Sequence, residues 1–186
     1  MIRVISGIYK GKRLRKAPHE MVRPYPDKLK TALFNILRED LQGLTVLDGF
    51  AGTGSVGIEA LSNGAAFAVF VEILPVAIST LRHNLAKLEA EDRSRIVAME
   101  FNRAVIQLAG EGARFDLIFL DPPYKLLEER NPLKVIKKRG LLASGGRIVL
   151  RRHFKTKFEA KYFELQRQVR LGDDTLCFYR DVDPQP

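Results

Sequence analysis

From residue 45 onward, apolar positions alternate between two rhythms. Short runs rich in β-branched and aromatic residues, Thr45–Leu47, Ala68–Val71, Ile96–Met99, Leu117–Leu120 and Arg147–Leu150, predict strands. Between them, apolar residues recur at three-and-four spacing. This predicts helices over Ser55–Leu61, Pro75–Leu88, Ala104–Ala109 and Leu133–Leu141, the second with Leu74, Ile78, Leu81, Leu85 and Leu88 on one face. Strands that alternate with helices call for a parallel sheet covered on both faces. The end of the chain breaks the rhythm: Tyr162–Val169 and Thr175–Tyr179 predict two strands joined through Gly172, Asp173 and Asp174, an antiparallel pair that closes the sheet.

Two segments precede this unit. In Ile2–Leu14, β-formers are interrupted by Gly7 and Gly11, which predicts a small twisted hairpin appended to the main domain. Arg23, Pro24, Tyr25, Pro26 and Asp27 then lead into an amphipathic helix carried by Leu29, Ala32, Leu33, Ile36 and Leu37. The expected division is a basic hairpin over residues 1–22 and one α/β domain over 23–186, since no internal repeat or linker divides the rest.

The 186 residues are enough for one domain that buries about 70% of its unfolded surface. No apolar run reaches the ~18 residues of a membrane span, and residues 1–16 lack the continuous apolar stretch of a signal peptide, so a cytoplasmic protein is expected. The net charge of +9 is unevenly spread. Residues 1–16 hold six basic and no acidic side chains, and residues 134–170 hold twelve basic and two acidic, leaving a balance of −7 elsewhere. Two basic lobes around an acidic centre point to a polyanionic partner. The lone Cys177 lies in an apolar run and reads as a buried thiol, while His19, His83 and His153 have no paired spacing, so no metal site is expected.

The candidate chemistry lies at strand ends. The first strand of the domain runs into Asp48 and then Gly49, Phe50, Ala51, Gly52, Thr53, Gly54 before a helix. A strand, a glycine turn and a helix N-terminus form a nucleotide-type cofactor site. Glu72, followed by Ile73, closes the next strand, where a carboxylate can accept from ribose hydroxyls. Gly52, Gly54 and Gly57 also fit a dinucleotide fingerprint, so an NAD enzyme is a competing reading. Asp48 tips the balance: it would repel a pyrophosphate, whereas it suits the ammonium group of S-adenosylmethionine. A further strand ends in Asp121, Pro122, Pro123, Tyr124 at the same sheet edge. Asp121 and the Pro122 carbonyl can accept from an exocyclic base amine and orient its lone pair, Pro123 stiffens the turn, and Tyr124 can stack on an extruded base.

Nearly the whole chain resembles the bacterial small-subunit (16S) ribosomal RNA guanine-N2 methyltransferases of the D type. The resemblance is carried by Arg3–Gly7 with Lys10, Gly11 and Lys12; by Arg23, Pro24 and Asp27; by Ala32–Leu37; by Leu47–Gly54, Gly57, Glu59–Leu61, Val71, Glu72, Asn84 and Leu85; by Asp116–Tyr124; and by Gly172, Asp173 and Phe178–Arg180. It implies a class I S-adenosylmethionine-dependent (Rossmann-like) fold with a seven-stranded, mostly parallel sheet, an antiparallel C-terminal hairpin and an N-terminal hairpin that helps grip RNA. It also implies a monomer that acts on ribosomal RNA or the assembling small subunit. Expected RNA contacts are Arg3, Lys10, Lys12, Arg13, Arg15 and Arg23, with Arg23 and Asp27 near the cofactor or target base. The chain departs from the family at Tyr25 and Pro26, where two threonines are usual, at Asn102, which stands nearest to where the family has an aspartate that meets the adenine amine, and at Arg151 and Arg152, which follow Leu150 where the family's strand usually ends in a glutamate. Two alternatives stay open: an N6-adenine methyltransferase acting on DNA or RNA, and a non-catalytic RNA-binding assembly factor of the same fold.

Overall fold

The computed structural model describes residues 2–18, 25–37, 40–123, 126–127, 130–156 and 158–182. Of the site residues expected above, Arg23 and Tyr124 lie outside the described residues. In chain order the elements are β1 (Ile2–Arg3), β2 (Arg13–Leu14), α1 (Asp27–Leu37), β3 (Thr45–Asp48), α2 (Ser55–Ser62), β4 (Phe67–Glu72), α3 (Pro75–Lys87), β5 (Ser94–Ala98), α4 (Phe101–Gly110), β6 (Phe115–Leu120), α5 (Pro132–Arg139), β7 (Leu142–His153), β8 (Phe163–Leu171) and β9 (Asp174–Asp181).

Strands β3 to β9 form a seven-stranded sheet in the order β5-β4-β3-β6-β7-β9-β8. The pairs among β3, β4, β5, β6 and β7 are parallel, and β9 runs antiparallel to both β7 and β8. Because strand side chains alternate between faces, each strand feeds two cores. Val46, Phe70, Leu117, Phe119 and Val149 pack with α1, α2 and α3 on one side. Leu47, Val69, Ile118, Leu120 and Ile148 pack with α4 and α5 on the other. Strands buried on both faces explain why β3, β4 and β6 read as continuous apolar runs rather than alternating ones.

At their N-terminal ends, β7 and α4 exceed their sequence-based bounds furthest. β7 begins at Leu142, five residues before the expected Arg147, and its register against β6 slips between Phe115 and Leu117. Gly145, at φ +72°, and Gly146, where a Cβ would meet the Ala143 carbonyl at 2.8 Å, accommodate this irregularity. In α4, the Glu100 side chain accepts from Arg103 N–H at 3.1 Å, so the helix starts at Phe101 rather than Ala104 and Asn102 sits in its first turn.

The small antiparallel β1–β2 hairpin is bonded tightly to the rest of the chain. Ile2, Val4 and Leu14 share the core of α1 and α2. The backbone N–H groups of Ile5 and Ser6 donate to Glu59 at 3.0 and 2.8 Å, and Lys30 pairs with Glu59 at 3.2 Å, both side chains fully buried. Helix α2 is therefore buried at every residue.

Candidate active site

The register of the sheet brings the expected acids together. Asp48 is level with Phe70 of β4 and Phe119 of β6, so Glu72 and Asp121 each lie two residues beyond that level, at the C-terminal edge. The glycine turn is held across this edge by Gly49 N–H donating to the Phe119 carbonyl and Ala51 N–H to the Val71 carbonyl, both at 2.9 Å. Close approach dictates two of the glycines. A Cβ on Gly49 would meet the Phe101 ring at 2.7 Å, and one on Gly57 would meet the Phe70 ring at 2.3 Å. Gly57 thus lets α2 lie against the sheet and serves the fold rather than a ligand.

These elements border an open cleft lined in part by Tyr25, Asp48, Phe50, Ala51, Gly52, Thr53 and Asp121. Five of the expected cofactor residues, Asp48 and Phe50 to Thr53, therefore line one cavity together with Asp121. Gly54 caps α2 below it at φ +85°. Glu72, Ile73 and Asn102 are not among the lining residues. Glu72 accepts from Gly52 N–H at 2.7 Å through one oxygen and from Ile73 and Leu74 N–H at 2.8 and 2.9 Å through the other, so it braces the glycine turn against the start of α3. Ile73 is exposed. Asn102 follows Phe101, whose ring stacks on Phe50 at 4.8 Å.

Asp48 is only 3% exposed and accepts from Gly57 N–H at 2.9 Å. Burial pushes its carboxyl up to about 7, the backbone hydrogen bond from Gly57 opposes this, and the charges of Asp121 and Glu72 push it further. A neighbouring cation would relieve both burdens. Arg151, beside Asp121, is 7% exposed and donates from Nη1 to Asp121 and from Nε to Asp174, each at 2.9 Å. Its guanidinium lies 4.9 Å from the centre of the Tyr25 ring. Burial alone would lower the guanidinium pKa, but the two carboxylates outweigh it and hold it above its usual value. Burial and the nearby acids likewise raise the Tyr25 phenol well above 10, so it stays neutral.

Sequence reasoning marked Tyr25 and Arg151 only as departures from a family pattern, yet both stand at the candidate acceptor site. The expected RNA contacts Arg3, Lys10, Lys12, Arg13 and Arg15 are all exposed on the N-terminal hairpin. Asn84, not among the expected site residues, joins this arm to the cleft: it accepts from Arg15 N–H at 2.7 Å and donates to the carbonyls of Arg15 and Thr53 at 3.1 and 3.0 Å. The late basic segment is partly engaged within the fold, with Arg147 paired to Asp40 and Lys137 to Asp181. Cys177 is buried, and among the described residues no group of three or more His, Cys, Asp or Glu side chains is placed to hold a metal ion. Nor, among the described residues, is any helix long and apolar enough to cross a membrane.

A family model described as conserved hypothetical protein 95 matches residues 2–180. YlbH of Bacillus subtilis is 38% identical over 80% of this chain and 80% of its own length. Ribosomal RNA small subunit methyltransferase D of Escherichia coli is 35% identical over 76% of this chain and 70% of its own. The chain belongs to this family of small-subunit methyltransferase D relatives. Among solved structures, yhhF from Escherichia coli superposes with a TM-score of 0.84 at 27% identity, over 97% of each chain. The family resemblance and the class I methyltransferase fold expected from the sequence, with its seven-stranded sheet and antiparallel C-terminal hairpin, are both met.

Proposed function

We propose that this family member transfers a methyl group from S-adenosylmethionine to the exocyclic N2 amine of a guanine in small-subunit ribosomal RNA. The observation that carries this is the meeting, in one cleft, of the Asp48 glycine turn and Asp121 at the end of β6. The cofactor fits the residues present. Two carboxylates, Asp48 and Asp121, line the cleft, an arrangement that favours a cation and disfavours a pyrophosphate. Asp48 would hold the cofactor's ammonium group, and Phe50, Ala51, Gly52 and Thr53 would shape its bed. When bound, S-adenosylmethionine supplies a methyl group on an electron-poor sulfur.

What the chain does is orient the acceptor. A base amine is a weak nucleophile because its lone pair is delocalised into the ring. Asp121 and the Pro122 carbonyl accept its hydrogens and turn the lone pair toward the methyl carbon, a contribution of proximity and orientation. The N–C bond forms as the S–C bond breaks, the bonding pair stays on sulfur, and the surplus proton leaves through Asp121 or to solvent. A carboxylate paired with arginine offers acceptors only. Guanine offers N1–H as a second donor beside N2–H, which adenine, with a lone pair at N1, does not. The names of the relatives and the exposed basic hairpin support RNA as substrate.

Label transfer from S-adenosylmethionine to small-subunit RNA, free and as assembled particle, tests the proposal. Incorporation should be lost with Asp121→Ala and with a transcript carrying inosine, which lacks the N2 amine, in place of guanosine. Undiminished labelling of the inosine transcript would assign the acceptor to another base.

A further inference from the structure

Resting on the acceptor-site reading above, we propose that Arg151 is the positioning residue that reserves Asp121 for the target base. Leu120 and Leu150 form the last pair between β6 and β7, so the residues that follow them, Asp121 at the end of β6 and Arg151 still within β7, stand side by side. On its other side β7 pairs with β9, where Arg151 is level with Leu176 and two residues from Asp174. One guanidinium thus bridges two carboxylates from two neighbouring strands, Nη1 to Asp121 and Nε to Asp174, at 2.9 Å each. Its planar fork holds both bonds in fixed directions, which a lysine ammonium cannot do. The Tyr25 ring lies against the guanidinium and closes the arrangement from the start of α1.

The bridge answers a problem of charge. Asp48 and Asp121 line one cleft, and a cationic cofactor entering it attracts both. If Asp121 swung toward that cation, the acceptor amine would lose the group that orients it. Arg151 supplies a competing, immobile cation on the far side of Asp121. Its bonds go to protein carboxylates, so this arginine is not placed to bind RNA phosphates. Asp48 then serves the cofactor and Asp121 the base.

A bridge that only tied strands together would predict something different. The test compares Arg151→Ala, Arg151→Lys and Asp121→Ala with wild type for cofactor affinity, KM for RNA, kcat and thermal midpoint, with and without added guanidinium ion. Misplacing a reacting group by about 1 Å costs on the order of 100-fold. Arg151→Ala is expected to lose about that factor in kcat with cofactor affinity unchanged or tighter, and Arg151→Lys to recover part of it. Low concentrations of guanidinium should restore turnover to Arg151→Ala but not to Asp121→Ala. Wild-type kcat in Arg151→Ala beside an inactive Asp121→Ala would overturn the proposal. So would a loss in Arg151→Ala and Arg151→Lys alike that tracks the thermal midpoint and resists rescue. Full activity in Asp121→Ala would instead remove the acceptor-site reading itself.

Discussion

Among the described residues two cation–carboxylate clusters are buried, and they are built differently. In the first, Lys30 and Glu59 are both sealed from solvent, and every contact is to the protein. Lys30 donates to the Arg3 carbonyl at 2.7 Å, and Glu59 accepts from Ile5 and Ser6. In the second, Arg151 is nearly as buried, but the Asp121 side chain keeps 28% of its surface and opens onto the cleft. A closed network of this kind fixes one structure, here the seat of the N-terminal hairpin on α1 and α2. An open one leaves acceptor capacity for an incoming group. Burial of a charge alone therefore does not separate structure from function; what separates them is whether the network ends inside the protein or at a cavity.

Breaking each cluster sharpens this contrast. The largest effect is expected at Lys30→Ala, which strands a buried carboxylate and should cost about 3–5 kcal/mol in urea unfolding, while the variant that remains folded keeps its kcat. Asp121→Ala should show the opposite pattern: a loss of about 100-fold or more in methyl transfer with a smaller loss of stability than Lys30→Ala, because Asp174 still pairs with Arg151.

A smaller effect, on the order of tenfold, follows from Asp48. With its carboxyl near 7, a protonated Asp48 must lose its proton before it can hold an ammonium group. Cofactor affinity measured by calorimetry should therefore rise about tenfold from pH 6 to pH 8, and Asp48→Asn should bind weakly and flatly across that range. The sign for stability is the reverse. Because the folded value lies above the ordinary 3.8, the ligand-free protein is favoured while Asp48 is protonated and loses that advantage as pH rises from about 4 to about 7. The smallest change is expected at the hairpin: Lys10→Gln or Lys12→Gln should weaken RNA binding whatever the sequence and reduce the salt slope by about 1 each.

The strand ends that carry Asp48, Glu72 and Asp121 were legible in the sequence because β3, β4 and β6 are central parallel strands whose apolar runs stop at the sheet edge. The same local rules missed the length of β7, since Ala143, Ser144, Gly145 and Gly146 have the composition of a turn although the strand passes through them. They also missed Arg151. It was read as lying beyond its strand, whereas β7 continues to His153 and sets Arg151 beside Asp121, 30 residues away in the chain. No periodicity reports a pairing between side chains on neighbouring strand ends. The seat of the hairpin was hidden for the same reason: Glu59 sits among apolar residues of α2, and its partners lie 53 and 54 residues earlier.

The identity of the methylated atom can be read directly from the labelled nucleoside. Small-subunit RNA labelled by the wild-type protein would be digested to nucleosides and the labelled species resolved by mass. The label is expected in N2-methylguanosine. Label in N6-methyladenosine would contradict that expectation.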